Sequence, residues 1–193
     1  MPPQRSAPAR FYLTFFGKTF TNGLVWPATA GNVFWSALTL AVDRHNPIFV
    51  ADWGPRMALL VILSGYLAFV WQSEQEALSR HPEFDNRVRY WLFDQIHVLP
   101  IAALAIMAAT RMDAPLSQTL MALFAVTIAG HLFGAWETDW RYRIAKALAN
   151  LAGIVLLLFG PFVAWRRVLA LGTVIAIWVA IEIIEYRQRT RRA

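Results

Sequence analysis

Residues 168–186 read VLALGTVIAIWVAIEIIEY, and no charge interrupts them between Val168 and Ile181. A helix rises about 1.5 Å per residue and the hydrocarbon core of a bilayer is about 30 Å thick, so this stretch is long enough to cross it. It closes on Glu182, Glu185 and Tyr186, followed by Arg187, Arg189, Arg191 and Arg192. An aromatic residue leading into arginines marks the cytosolic edge of a span.

Working towards the N-terminus, five more stretches have the same character: Leu24–Val42, Pro55–Gln72, Tyr90–Ala109, Leu116–Trp136 and Ala147–Trp165. Together they predict an all-α, polytopic bundle of six transmembrane helices. Hydrophobic residues make up 58% of the 193 and charged residues 16%, against roughly 25% charged in soluble domains, so lipid is the main solvent. The spans leave no room for a separate soluble domain. The expected organisation is a single membrane domain over 1–193: an interfacial segment at 1–23, the bundle at 24–186 and a basic cytosolic tail at 187–193. Within the first segment, Phe11, Tyr12, Phe15, Phe16 and Phe20 around Lys18 read as an interfacial helix on the inner leaflet.

The bases orient the chain. With the N-terminus inside, thirteen of the eighteen lie on the cytosolic side, and only Arg44, Arg56, Arg111, Arg166 and Arg167 lie outside. The positive-inside rule therefore predicts both termini in the cytosol, and the expected location is a bacterial cytoplasmic membrane. The net charge of +6 is explained by these flanking bases, so nucleic acid is not an expected partner. With no cysteine, disulfides and thiolate chemistry are excluded.

Threaded in this way, the chain gathers polar groups near its inner face. His97 and His131 fall at matching depth, roughly 8 to 9 Å below the interface marked by Trp91 and Trp136. Asp94 shares the helical face of His97, and Glu182 lies at similar depth on the last span. An ionisable group inside a span costs at least about 2.5 to 3.5 kcal/mol on insertion scales, so such groups face the bundle or a wet cavity and mark function.

Asp94, His97, His131 and Glu182 are accordingly the expected acid–base residues. As a metal site, His97, His131, Asp94 and either Glu137 or Glu182 would converge from different helices. As a haem site, His97 and His131 would be paired axial ligands. A hydrogen-bonded structural cluster is the competing reading of the same residues. Pro100 and the Gly160-Pro161 pair are expected kinks, and Asn32 and Asn150 are expected to bond across helices.

Arg80-His81-Pro82, followed by Phe84, resembles in part the Arg-His-Pro-x-Tyr element of the membrane isoprenylcysteine methyltransferases. That resemblance covers a few residues. The glycine and the paired glutamates that accompany the element in that family are missing, so no membership follows.

Three functional classes fit: a membrane-embedded enzyme or metal- or cofactor-binding protein acting on a hydrophobic small molecule from the lipid phase, a proton-coupled transporter or channel working as a homo-oligomer, and an accessory subunit of a larger membrane complex. The outer halves of the last three spans carry no charge. A cleft opening to the cytosol fits that distribution better than a pore.

Overall fold

The structure is a computed structural model that describes residues 24–42, 49–80, 88–110, 113–134 and 140–190. Six α-helices account for nearly all of them: α1 (Trp26–Val42), α2 (Phe49–Arg80), α3 (Val88–Ala108), α4 (Asp113–Gly134), α5 (Trp140–Phe159) and α6 (Arg166–Thr190), with a 3-10 turn at Val163–Trp165 before α6. No strand occurs among the described residues. The expected interfacial helix and the end of the basic tail lie outside them.

Four segments are long and apolar enough to cross a membrane: Asp52–Gln72 in α2, Pro115–Phe133 in α4, the whole of α5, and Val163–Gln188 leading through α6. α1 is 17 residues long, and the apolar part of α3 is Ile96–Ala108. Both coincide with expected spans but are shorter than those four.

The helix bounds correct the expected spans at two places. α2 runs well beyond Gln72 because Glu74, Gln75, Glu76, Ala77 and Leu78 are strong helix formers. In the fifth span, Gly160-Pro161 does not kink a continuing helix. It ends α5 at Phe159, because Pro161 donates no N–H and disfavours a helical conformation in the residue before it. Phe162 then adopts a left-handed φ of 57° and turns the chain towards α6. A Cβ on Gly160 would fall on the carbonyl oxygen of Leu156, so this stop requires glycine. α3, by contrast, passes through Pro100 as one helix.

Buried residues recur every three or four positions, as one face of each helix must: Leu59, Leu63, Tyr66 and Val70 on α2; Ile101, Leu104 and Ala108 on α3; Leu116, Leu120, Leu123 and Thr127 on α4; Leu171, Val174, Trp178 and Ile181 on α6. α2, α3, α4, α5 and α6 pack in that order as a ring closed by α6 against α2, and α1 lies outside it on α2 and α3. Asn32 on α1 donates from Nδ2 to the carbonyl of Ala102 on α3 at 2.9 Å, the cross-helix bond expected of it. Asn150 instead donates to the carbonyl of Lys146 on its own helix. Large apolar side chains cover the outside, among them Phe34, Val61, Leu99 and Phe159, as lipid permits and water does not.

One end of the bundle is closed by a set of caps. The last carbonyls of a helix have no partner within it. Here Trp53 Nε1 donates to Leu40 of α1 at 3.1 Å. Arg56 Nη1 donates to the carbonyls of Met107, Ala108 and Thr110 at the end of α3. Arg166 Nε donates to Gly160 beyond the end of α5 at 2.5 Å. Cations also suit the negative end of the helix dipole.

Candidate functional site

The other end of the bundle holds the polar cluster. Antiparallel packing brings the first half of α3 between the last halves of α2 and α4, so His97 meets Tyr66 and Thr127. The Tyr66 hydroxyl lies 2.9 Å from His97 Nε2 and 3.3 Å from Thr127 Oγ1, and Thr127 Oγ1 lies 3.4 Å from His97 Nε2. Thr127 donates its own proton to the carbonyl of Leu123 at 2.7 Å, which leaves its oxygen as an acceptor.

Two proton arrangements fit these three contacts. In one, His97 Nε2–H donates to Tyr66 and Tyr66 donates to Thr127. In the other, Tyr66 donates to an unprotonated Nε2. Rotation of one hydroxyl, together with a change of imidazole tautomer, interconverts them. Tyr66 and Thr127 are buried, so every proton left without an acceptor would be expensive.

Trp178 on α6 joins this group to the rest. Its ring lies 5.6 Å from that of Tyr66 and 6.0 Å from that of Phe69. His131 meets it edge-on, with ring centroids 5.0 Å apart. Its Nε1 donates to the carbonyl of Lys146 on α5 at 3.3 Å, and the Lys146 ammonium lies 6.0 Å from its ring centre. That ammonium also pairs with Glu182. His131 Nε2 is buried and has no hydrogen-bond partner among the described residues.

Comparison of the chain with family models, curated proteins and solved structures finds no match. The arrangement itself therefore carries the functional argument.

Of the expected site residues, the structure places His97, His131 and Glu182 at one end of the bundle, each with a different neighbour. His97 is held by two hydroxyls, His131 lies against Trp178, and Glu182 is tied to Lys146. Asp94 lies on α3, but its side chain is outside the described residues, as is Glu137 altogether. Among the described residues no three His, Asp or Glu side chains gather as a metal site requires. A haem iron would compete with Tyr66 and Thr127 for Nε2 of His97.

Tyr66 and Trp178, both buried, occupy the middle of this end, and a cavity lies at the capped end.

Tyr66 and Trp178 are the members of this cluster that the sequence reading missed. A signal was present for Tyr66: a phenol deep in a span needs a partner for its hydroxyl, because lipid supplies none. Trp178 gave no such signal, since aromatic residues are common in spans.

Proposed function

We propose that the chain is a six-span integral membrane protein with both termini in the cytosol, and that its histidine end is the acid–base centre of a membrane-embedded enzyme acting on a lipid-phase small molecule. The carrying observation is the buried Nε2 of His131, without a hydrogen-bond partner among the described residues, at the same end as the Tyr66–His97–Thr127 hydroxyl–imidazole group. A buried polar atom without a partner in a packed site is a place for a substrate's polar group.

In this reading His131 binds or deprotonates the substrate. His97, Tyr66 and Thr127 redistribute the proton, and Trp178 forms the apolar wall. Lys146 and Glu182 are positioning residues that fix α5 against α6.

The six-span topology draws support from the caps. Arg56 and Arg166, two of the five bases that the positive-inside count leaves outside, bind helix carbonyls, so their placement answers to hydrogen bonding as well as topology. Exposed Phe34 and Trp35 on α1, and Leu99 and Ile106 on α3, extend the lipid-compatible surface to the two shorter helices. A one-sided enzyme fits better than a transporter because the interior between Thr127 and the capped end is filled by Leu60, Leu63, Leu120, Leu123 and Phe124, all fully buried.

The test is mass spectrometry of organic extracts from the purified protein, with metal analysis and an absorption spectrum on the same samples. Wild type should carry a hydrophobic compound that His131→Ala loses. Equal retention by the two proteins would refute the site. For topology, the chain has no cysteine, so a single cysteine at Ser6 or at Ala193 can be labelled from one side only. Labelling of either from outside intact cells would refute the orientation.

A further inference from the structure

Asn150 of α5 is fully buried, yet its amide is only half used. Its Nδ2 donates to the carbonyl of Lys146 at 2.8 Å, and since a carbonyl only accepts, the orientation of the amide is fixed. Oδ1 is left buried without a donor among the described residues, as Nε2 of His131 is left without a partner. Two such atoms at one packed end are costly unless a further group answers them.

The two atoms belong to neighbouring helices, α4 and α5, which pack side by side. A Cβ on Gly153 would touch Phe124 of α4 and Val174 of α6, which sets Gly153 level with Phe124 in the antiparallel pair. Counting from there, Asn150 stands level with Thr127, and His131 lies one turn, about 6 Å, nearer the end of α4. Helical side chains lean towards the N-terminus of their own helix. His131 therefore leans towards the level of Thr127 and Asn150 towards that of Lys146, and the gap between them narrows. The donors around them are engaged: Thr127 gives its proton to Leu123, Trp178 Nε1 donates to the Lys146 carbonyl, and the Lys146 ammonium pairs with Glu182.

Resting on the reading of this end as a substrate site, we propose that the pair receives the hydroxyl of a lipid-phase alcohol, which donates its proton to Asn150 Oδ1 and accepts one from His131 Nε2. One hydroxyl oxygen reaches two partners at about 2.8 Å each and so bridges about 5 Å, which matches the register. Asn150 Oδ1 only accepts, so an ether or ketone oxygen leaves it unpaired, and a carboxylate sets a second acceptor beside it. A hydroxyl satisfies both atoms, and His131 then binds the substrate oxygen through Nε2–H. Leu132 and Phe133 next to His131, and Leu148 near Asn150, are apolar and exposed, so the alkyl chain has a path along them to the bilayer.

Equilibrium binding of radiolabelled 1-hexadecanol and of hexadecyl methyl ether to the detergent-purified full chain tests this, because the ether keeps the oxygen and the chain but cannot donate. Wild type should bind the alcohol at least tenfold more tightly than the ether. Asn150→Leu should bring the two within twofold of each other, with thermal unfolding to check that it is folded. The alcohol-to-ether ratio of wild type decides the proposal by itself should that variant fail to fold. Equal binding of alcohol and ether by wild type, binding of neither, as a single water filling the pair would give, or an unchanged preference in folded Asn150→Leu would overturn the proposal. The substrate site fails separately, if His131→Ala keeps the extracted compound. A compound lost from His131→Ala together with equal binding of alcohol and ether would sink the hydroxyl and leave the site.

Discussion

The Tyr66 hydroxyl lies 2.9 Å from His97 Nε2, and this contact joins α2 to α3 inside the bundle. Tyr66→Phe removes the oxygen that links His97 to Thr127 while keeping the ring against Trp178. Deleting a buried hydrogen-bonding group costs about 1 to 3 kcal/mol in soluble proteins and averages less in membranes. The expected result is a loss of about 1 to 2 kcal/mol in denaturant unfolding, with activity lost more completely than stability. A variant with full activity would remove Tyr66 from the relay.

Trp178 touches Tyr66, Phe69, His131 and Lys146, so its truncation disturbs three helices at once. Trp178→Ala should cost about 3 to 5 kcal/mol, the range for large aromatic deletions in cores. Trp178→Phe should recover most of that loss but not the bond to the Lys146 carbonyl. Thermal unfolding of the two variants separates packing from hydrogen bonding.

The Lys146–Glu182 pair is partly sheltered, with the lysine 12% and the glutamate 32% exposed. Removing one charge strands the other, whereas removing both does not. Lys146→Met or Glu182→Leu alone should therefore destabilise the chain by about 1 to 2 kcal/mol. The double variant Lys146→Met with Glu182→Leu should be nearer to wild type. Additive losses in that double-mutant cycle would show that the pair is not coupled.

At Gly153 of α5, side chains of α4 and α6 press against the backbone. A Cβ there would lie 2.7 Å from Val174 Cγ2 and 3.0 Å from Phe124 Cε2. Gly153→Ala should cost about 1 to 3 kcal/mol by overpacking. Gly31, whose Cβ would meet nothing within 4 Å, is the control: Gly31→Ala should be neutral or slightly stabilising, since alanine is the better helix former.

Long apolar runs and the aromatic residues beside them were enough to locate the helices, because a bilayer imposes a minimum length and removes water from the backbone. That His97 and His131 fall at one end of the bundle was legible for the same reason, since position along a helix follows from counting residues. Their neighbours were not legible, because rotation of a helix about its axis is set by packing that no local spacing records. Thus the partners of His97 came from α2 and α4, and Glu182 turned to Lys146. The Gly160-Pro161 pair was read as a bend because proline permits either a kink or a stop. The left-handed Phe162 beyond it shows the stop.

The caps also impose an order of events during synthesis. Trp53 reaches back thirteen residues to Leu40, and Arg166 reaches back six to Gly160, so those bonds form as soon as the next segment emerges. Arg56 must wait for carbonyls about fifty residues downstream. Arg56 therefore completes its bonds only once α2 and α3 stand side by side, which makes it a clasp on the whole stretch of chain between them rather than a local cap.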